Sequence, residues 1–259
     1  MRSVVGAGVV VTGGGSGIGA ALARRFAAEG ARVVVNDLNA VAASKVAGSC
    51  GATAAPGDAA SVDGVAALFA TARSVLGEID MYCANAGVAV GDGEGDEDDW
   101  EASWQVNVMA HVRAARLLLP GWLERGSGHL ISTVSAAGLL TMLGTAPYSV
   151  TKHAAVGFAE WLAATYAHRG LTVHCVCPQG VRTKMLADSG RAGEIVLMDS
   201  AIEPEQVADA LWDAMTERRF LVLPHPVVRE YYELRAADTD RWLRGMSRLQ
   251  RRIEEEAAG

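Results

Sequence analysis

Strand-like and helix-like stretches alternate from one end of this chain to the other, and that alternation restricts the fold more than any other feature. Apolar, β-branched runs stand at 8–12, 32–36, 79–84, 129–134, 171–177 and 220–223, with a weaker one near 52–55. Helical spacing of apolar residues fills the intervals at 17–30, 61–76, 99–124, 148–168 and 204–217. Strands joined through helices require right-handed crossovers, and hence a parallel sheet covered on both faces. The expected class is α/β, a doubly wound parallel sheet of about seven strands. Such sheets bind ligands beyond the carboxyl ends of their strands, where the strand order reverses.

Composition removes the competing classes. Half of the 259 residues are hydrophobic and 20% are charged, which excludes disordered, collagen-like and coiled-coil chains. No apolar run approaches the ~18 residues of a membrane span, so no membrane partner is expected. The first residues lack the layout of a secretion signal, and Cys50, Cys83, Cys175 and Cys177 show no C-x-x-C spacing. A reduced, cytoplasmic protein is the expectation. The net charge of −7 is concentrated in Asp92, Glu94, Asp96, Glu97, Asp98 and Asp99; without these six acids it is −1. A nearly neutral remainder offers no basic face for nucleic acid. The acidic run lacks the glycine and glutamate that shape a calcium loop, and the histidines show no ligand spacing, so no metal is expected. Its acids are expected to enter the first turn of the next helix, where negative charge is favoured.

The first strand runs through Val9-Val10-Val11 into Thr12-Gly13-Gly14-Gly15-Ser16-Gly17-Ile18-Gly19. Glycines at a strand-to-helix turn permit close approach of backbone to a pyrophosphate, and the helix N-terminus offers free N–H groups and a favourable dipole. The spacing is G-x-x-x-G-x-G, and a purely structural turn is the alternative. Asp37 closes the second strand 24 residues after Gly13, where a carboxylate meets adenosine ribose hydroxyls and repels a 2′-phosphate. Ser16 and Leu38 are uncharged, so NAD is favoured over NADP; capping the following helix is the other role open to Asp37. Residues 1–224 are expected to form a Rossmann-type dinucleotide-binding and catalytic domain. Residues 225–259 are read as its helical C-terminal extension.

Tyr148 and Lys152 stand at i and i+4 on a predicted helix, which places an ammonium beside a phenol. A neighbouring cation stabilises phenolate and should lower the tyrosine pKa.

With these residues the chain resembles the short-chain dehydrogenase/reductase family in its compact form, over roughly residues 4 to 224. The resemblance rests on the glycine turn, Asp58 after the third strand, Asn85-Ala86-Gly87 after the fourth, Asn107, Ser135 and Tyr148-x-x-x-Lys152. It implies that Tyr148 is the general acid/base, and that Lys152 lowers the Tyr148 pKa and holds the nicotinamide ribose. It further implies that Ser135 bonds the reacting oxygen and that Asn107 holds a water linking Lys152 to solvent. Gly13, Ser16, Gly17, Ile18 and Gly19 would line the pyrophosphate, Asp37 the ribose and Asp58 the adenine. Asn85 and Gly87 would flank the cofactor pocket, with Thr183 near the carboxamide. Family members are usually tetramers or dimers, so a homo-oligomer is expected.

One position departs from the family pattern. Pro178-Gln179-Gly180 replaces the usual Pro-Gly, and Gln179 either offers an amide to a polar substrate group or is a benign loop change. Leu139, Leu140, Met142 and Leu143, with the apolar segment 184–200, are expected to wall a substrate site or to pack into the fold. The expected reaction is NAD-dependent hydride transfer with a mainly apolar secondary alcohol or ketone. An NADPH-dependent 3-oxoacyl or polyketide-type ketoreductase and a non-catalytic nucleotide-binding protein are the alternatives; there is no G-x-S-x-G elbow around Ser135 to support a hydrolase. In the tail, Trp242, Met246, Leu249 and Ile253 form one apolar stripe, able to dock on its own domain, on a neighbouring active site or between subunits.

Overall fold

Four consecutive buried positions in the first strand and four in the fourth mark the middle of a sheet covered on both sides. The computed structural model describes residues 4–258; the ends of the two expected regions, 1–3 and 259, lie outside the described residues. Strands β1 (Gly8–Val11), β2 (Arg32–Val35), β3 (Thr53–Ala54), β4 (Met81–Ala84), β5 (Gly128–Thr133), β6 (Leu171–Val176) and β7 (Leu221–Val222) form one sheet in the order β3-β2-β1-β4-β5-β6-β7. Every pairing is parallel, and Val10 sits level with Val34 on one side and Tyr82 on the other. The order reverses between β1 and β4.

Successive residues of each strand face opposite layers, so the valine runs feed two cores. Val10, Val34, Tyr82 and Leu130 enter one core, while Val9, Val11, Val33, Val35, Cys83 and Ile131 enter the other. The layers are built from α1 (Gly17–Ala28), α2 (Ala40–Cys50), α3 (Val62–Leu76), α4 (Glu97–Trp104), α5 (Ala110–Glu124), α6 (Ala137–Leu140), α7 (Ala146–Tyr166), α8 (Lys184–Ala187), α9 (Gly190–Leu197) and α10 (Pro204–Glu217), followed by α11 (Val227–Ala237) and α12 (Thr239–Ala258).

Several elements differ from the sequence expectation, among them the short helices α6, α8 and α9, which no expected helical range covers. Helix α2 was not anticipated: Asn39 caps it through a bond from the Ala42 N–H, and Gly51 ends it at φ +68°. The single helix expected over 99–124 is broken by a π-helical turn at Gln105–Met109. The strand expected at 79–84 begins only at Met81. The acidic run behaves as anticipated, with Asp96 and Asp99 forming a reciprocal capping box at the start of α4. Among the described residues, no helix is long and apolar enough to cross a membrane, and no cluster of ligands could hold a metal.

Burial keeps several histidines neutral. It lowers the pKa of His111 from 6.5 to about 3, with the Lys152 charge adding to the effect, and that of His129 to about 4, with His174 nearby. The unfolded chain protonates these rings below pH ~6.5 while the folded chain does not, so stability present above that pH is lost as pH falls toward 4 and 3. Near pH 5 the two together should remove about 2.5 kcal/mol per pH unit. Urea titrations across pH 7 to 4.5 would measure this; a flat profile in that window would contradict it.

Candidate active site

The carboxyl ends of β1, β4, β5 and β6 open into one cavity of about 720 Å³. Its floor comes from the loops that follow these strands. Gly13, Ser16, Gly17, Ile18, Gly19, Asp37, Asn85, Gly87, Ser135, Tyr148, Lys152, Gln179 and Thr183 all line it. Residues spread over 170 positions of sequence are thus gathered on one rim, as the reversal of strand order requires.

The glycine turn is shaped by what surrounds it. Gly13 and Gly17 have φ of +60° and +49°, the left-handed region that side chains disfavour. A Cβ on Gly19 would lie 2.2 Å from the Gly13 carbonyl oxygen, and one on Gly13 would lie 2.9 Å from the Ala86 Cα. Thr12, directly after β1, and Asn85, directly after β4, tie the turn to the end of β4. The Thr12 hydroxyl accepts from the N–H groups of Asn85 (3.0 Å) and Ala86 (3.1 Å) and donates to the Cys83 carbonyl. The Asn85 amide donates to the carbonyls of Thr12 (3.0 Å) and Gly13 (3.3 Å). The Ser16 side chain makes no capping bond at the start of α1, so that end of the helix presents its own N–H groups to the cavity. This cradle fits a dinucleotide pyrophosphate.

Asp37 stands at the edge of the same cavity. Its two carboxylate oxygens accept from the N–H groups of Gly15 (2.9 Å) and Asn39 (2.9 Å), which fixes its orientation beside the turn. The capping role open to it belongs to Asn39. Asp58 is not brought into the cavity lining. Burial alone would raise its pKa, but bonds from the N–H groups of Ala60 (2.8 Å) and Ser61 (3.1 Å) outweigh this and lower it. Its carboxylate therefore orders the turn leading into α3.

The reacting end is carried by α7, whose first turn contains Pro147 at a position where no N–H is needed. Tyr148 is half-buried, and Lys152 beneath it is 3% exposed, with Nζ 5.5 Å from the centre of the Tyr148 ring. The expected lowering of the Tyr148 pKa is not found. Burial raises it, a bond from the Ser135 hydroxyl opposes the rise, and Lys152 lies over the ring face. Burial also destabilises the Lys152 ammonium and lowers its pKa to about 8. At neutral pH, Tyr148 is a phenol able to donate a proton, and Lys152 is still a cation.

Asn107 sits behind this pair in the π-helical turn, 0% exposed and outside the cavity lining. Its amide oxygen accepts from the Val88 N–H (3.0 Å), and its nitrogen donates to the Val88 carbonyl (2.9 Å) and the Thr151 hydroxyl (3.1 Å). Gly87 clears the space above: a Cβ there would lie 3.2 Å from Lys152 Nζ and 3.3 Å from Asn107 Oδ1. A π-turn re-aims one side chain within a helix, and here it aims Asn107 at the segment that carries Gly87.

Leu140, Met142, Leu143, Ile195, Val196 and Leu197 form the apolar end, whereas Leu139 packs into the core instead. Gln179 lies between the two ends, its side-chain oxygen buried without a hydrogen-bond partner. Sequence reasoning missed the bracing role of Thr12 and the contribution of Thr141. Thr141 lines the cavity at φ +67°, a costly conformation for a β-branched residue, and nothing in its neighbours' composition signals it.

Such a sheet, glycine cradle and Ser-Tyr-Lys arrangement define a nicotinamide-dependent oxidoreductase. The family described as short chain dehydrogenase matches residues 7–194, and the chain belongs to that family, whose members act between hydroxyl and keto groups. It is similar to 1-deoxy-11-beta-hydroxypentalenate dehydrogenase of Streptomyces exfoliatus, with 36% identity covering 85% of this chain and 83% of that protein. It is also similar to meso-2,3-butanediol dehydrogenase of Serratia marcescens, with 34% identity covering 77% and 83%. Among solved structures, a short chain dehydrogenase/reductase from Burkholderia phymatum in complex with NAD superposes with a TM-score of 0.85 at 26% identity, covering 93% of this chain and 96% of that one. A 3-ketoacyl-(acyl-carrier-protein) reductase from Brucella melitensis complexed with NADH gives 0.78, also at 26% identity, covering 86% and 96%.

Proposed function

We propose that this protein is an NAD-dependent dehydrogenase of a mainly apolar secondary alcohol, running in either direction with Tyr148 as the general acid/base. The observation that carries the cofactor preference is Asp37: a fixed carboxylate at the cavity edge, with exposed Leu38 beside it. It accepts bonds from ribose hydroxyls and opposes a 2′-phosphate. The apolar lining from α6–α7 and α9 supports the substrate class, and the relatives named above act by name on a hydroxylated carboxylate and on a diol.

In this reading the bound nicotinamide supplies or accepts the hydride, and the protein's residues handle position and proton. The Ser135 hydroxyl and Tyr148 phenol meet the reacting oxygen. Tyr148 takes the proton from the alcohol in oxidation and returns it in reduction, while Lys152 holds the ribose with its ammonium. Asn107 positions the Val88 backbone and, through Thr151, the helix turn that carries Lys152. Gln179 accepts a bond from a polar group of the substrate. The assembly is a homodimer or homotetramer acting in the cytoplasm.

The test is equilibrium binding of NADH and NADPH to the purified protein. NADH should bind at least tenfold tighter, about 1.4 kcal/mol, and Asp37→Ala should erase most of that difference. Tighter binding of NADPH by the wild-type protein would overturn the assignment and favour the ketoreductase reading. In an alcohol panel, Gln179→Ala should reorder the substrates; an unchanged ranking would remove its role.

A further inference from the structure

The C-terminal helix closes the far end of the cavity. Helix α12 lies beyond the family-matched residues 7–194, yet Trp242, Met246 and Leu249 line the same space as Tyr148. Ile253, on the same stripe, is 7% exposed, and the Trp242 ring meets Tyr231 of α11 at 6.2 Å, so the helix is seated on its own domain. The stripe ends in a charge. Of the five arginines on α12, Arg252 is the one that lines the cavity, three residues after Leu249 and therefore on the same face. Arg241, Arg244, Arg248 and Arg251 are absent from the lining, while Arg252, its side chain 57% exposed, stands at the cavity mouth between lining and solvent. Arg252 pairs with Glu256 through Nε at 3.5 Å, a long contact that engages one edge of the guanidinium. Lys184, which also lines the cavity, stands near the glycine turn and is paired with Asp188.

We propose that α12 is the substrate-recognition wall of this enzyme and that Arg252 binds a carboxylate, so that the substrate is an apolar hydroxy acid whose hydrocarbon body lies along Trp242, Met246 and Leu249. A guanidinium offers a planar fork of donors matched to a carboxylate. The apolar stripe leading to it removes water from the hydrocarbon between the two polar ends. This proposal rests on the dehydrogenase reading above and specifies its substrate.

The experiment compares hydroxycyclohexane carboxylate, its methyl ester and plain cyclohexanol with wild-type protein and the variants Arg252→Gln, Arg252→Lys and Leu249→Ala. Wild type should prefer the carboxylate over the ester by about tenfold in kcat/KM. Arg252→Gln should erase that preference through KM, Arg252→Lys should retain part of it, and cyclohexanol oxidation should stay unchanged in both. Leu249→Ala should weaken acid, ester and cyclohexanol together, because all three share the hydrocarbon ring, and should leave the preference for acid over ester in place. Calorimetric titration of the acid and the ester into the protein–NADH complex gives the same comparison without turnover. If wild type oxidises none of the three but still binds the acid better through Arg252, the dehydrogenase reading fails and the anion site stands. Equal handling of acid and ester by wild type, or an equal loss on all three substrates in Arg252→Gln, would overturn the proposal.

Discussion

Tyr148→Phe should retain NADH binding within about twofold and lose roughly a thousandfold in kcat, about 4 kcal/mol of transition-state stabilisation. The phenol sits half-buried above Lys152 with its hydroxyl bonded to Ser135, so removing one oxygen leaves the packing of α7 and the cradle at β1 in place. What disappears is the phenol that, in the proposed reading, exchanges a proton with the reacting oxygen and stays protonated at neutral pH. Single-turnover measurement with bound NADH separates this from a binding defect. A variant with undiminished kcat would transfer the acid/base role elsewhere and leave the non-catalytic reading of the fold in play.

The second large effect follows from Lys152. Its pKa lies near 8, well below the 10.5 of a free lysine, because burial penalises the ammonium. Below that value the group is a cation, able in the proposed reading to donate to the cofactor ribose; above it the charge is lost. The kcat/KM for NADH, which reports ionisations of the free enzyme, should be level from about pH 6 to about 7.5 and fall above about pH 8, approaching tenfold per unit with one proton. In Lys152→Met the limb should vanish and the plateau should sit about a hundredfold lower. A limb that persists in the variant would place the titrating group elsewhere.

The cavity's plan was legible because its parts are local. Val9–Val11, the glycines after them and Asp37 lie within one β-α-β segment, and a Tyr and a Lys four residues apart share a helix face whatever surrounds them. Helix α2 was not legible: only Ala43, Val46 and Ala47 are buried along it, a stripe too small and too alanine-rich to stand out. The π-turn at Asn107 leaves the apolar period nearly intact, so 99–124 reads as one helix. The direction of the Tyr148 pKa required knowing how far burial outweighs a neighbour, which no spacing records. The tail's amphipathic stripe was visible, but its docking site was not, because that contact joins α12 to α9 across some fifty residues and depends on the shape of both.

The bracing of the glycine turn by Thr12 and Asn85 bears on how the molecule is made. The bonds that hold the turn span 71 to 74 residues of chain, so β1, α1 and β2 together contain every glycine of the cradle without containing its shape. Closing a loop of that length is slow beside the formation of α1. During synthesis, the nascent nucleotide turn stays pliant until β4 emerges and docks beside β1. Competence to grip the cofactor then arrives with the insertion of a strand, as a property of the sheet rather than of the motif.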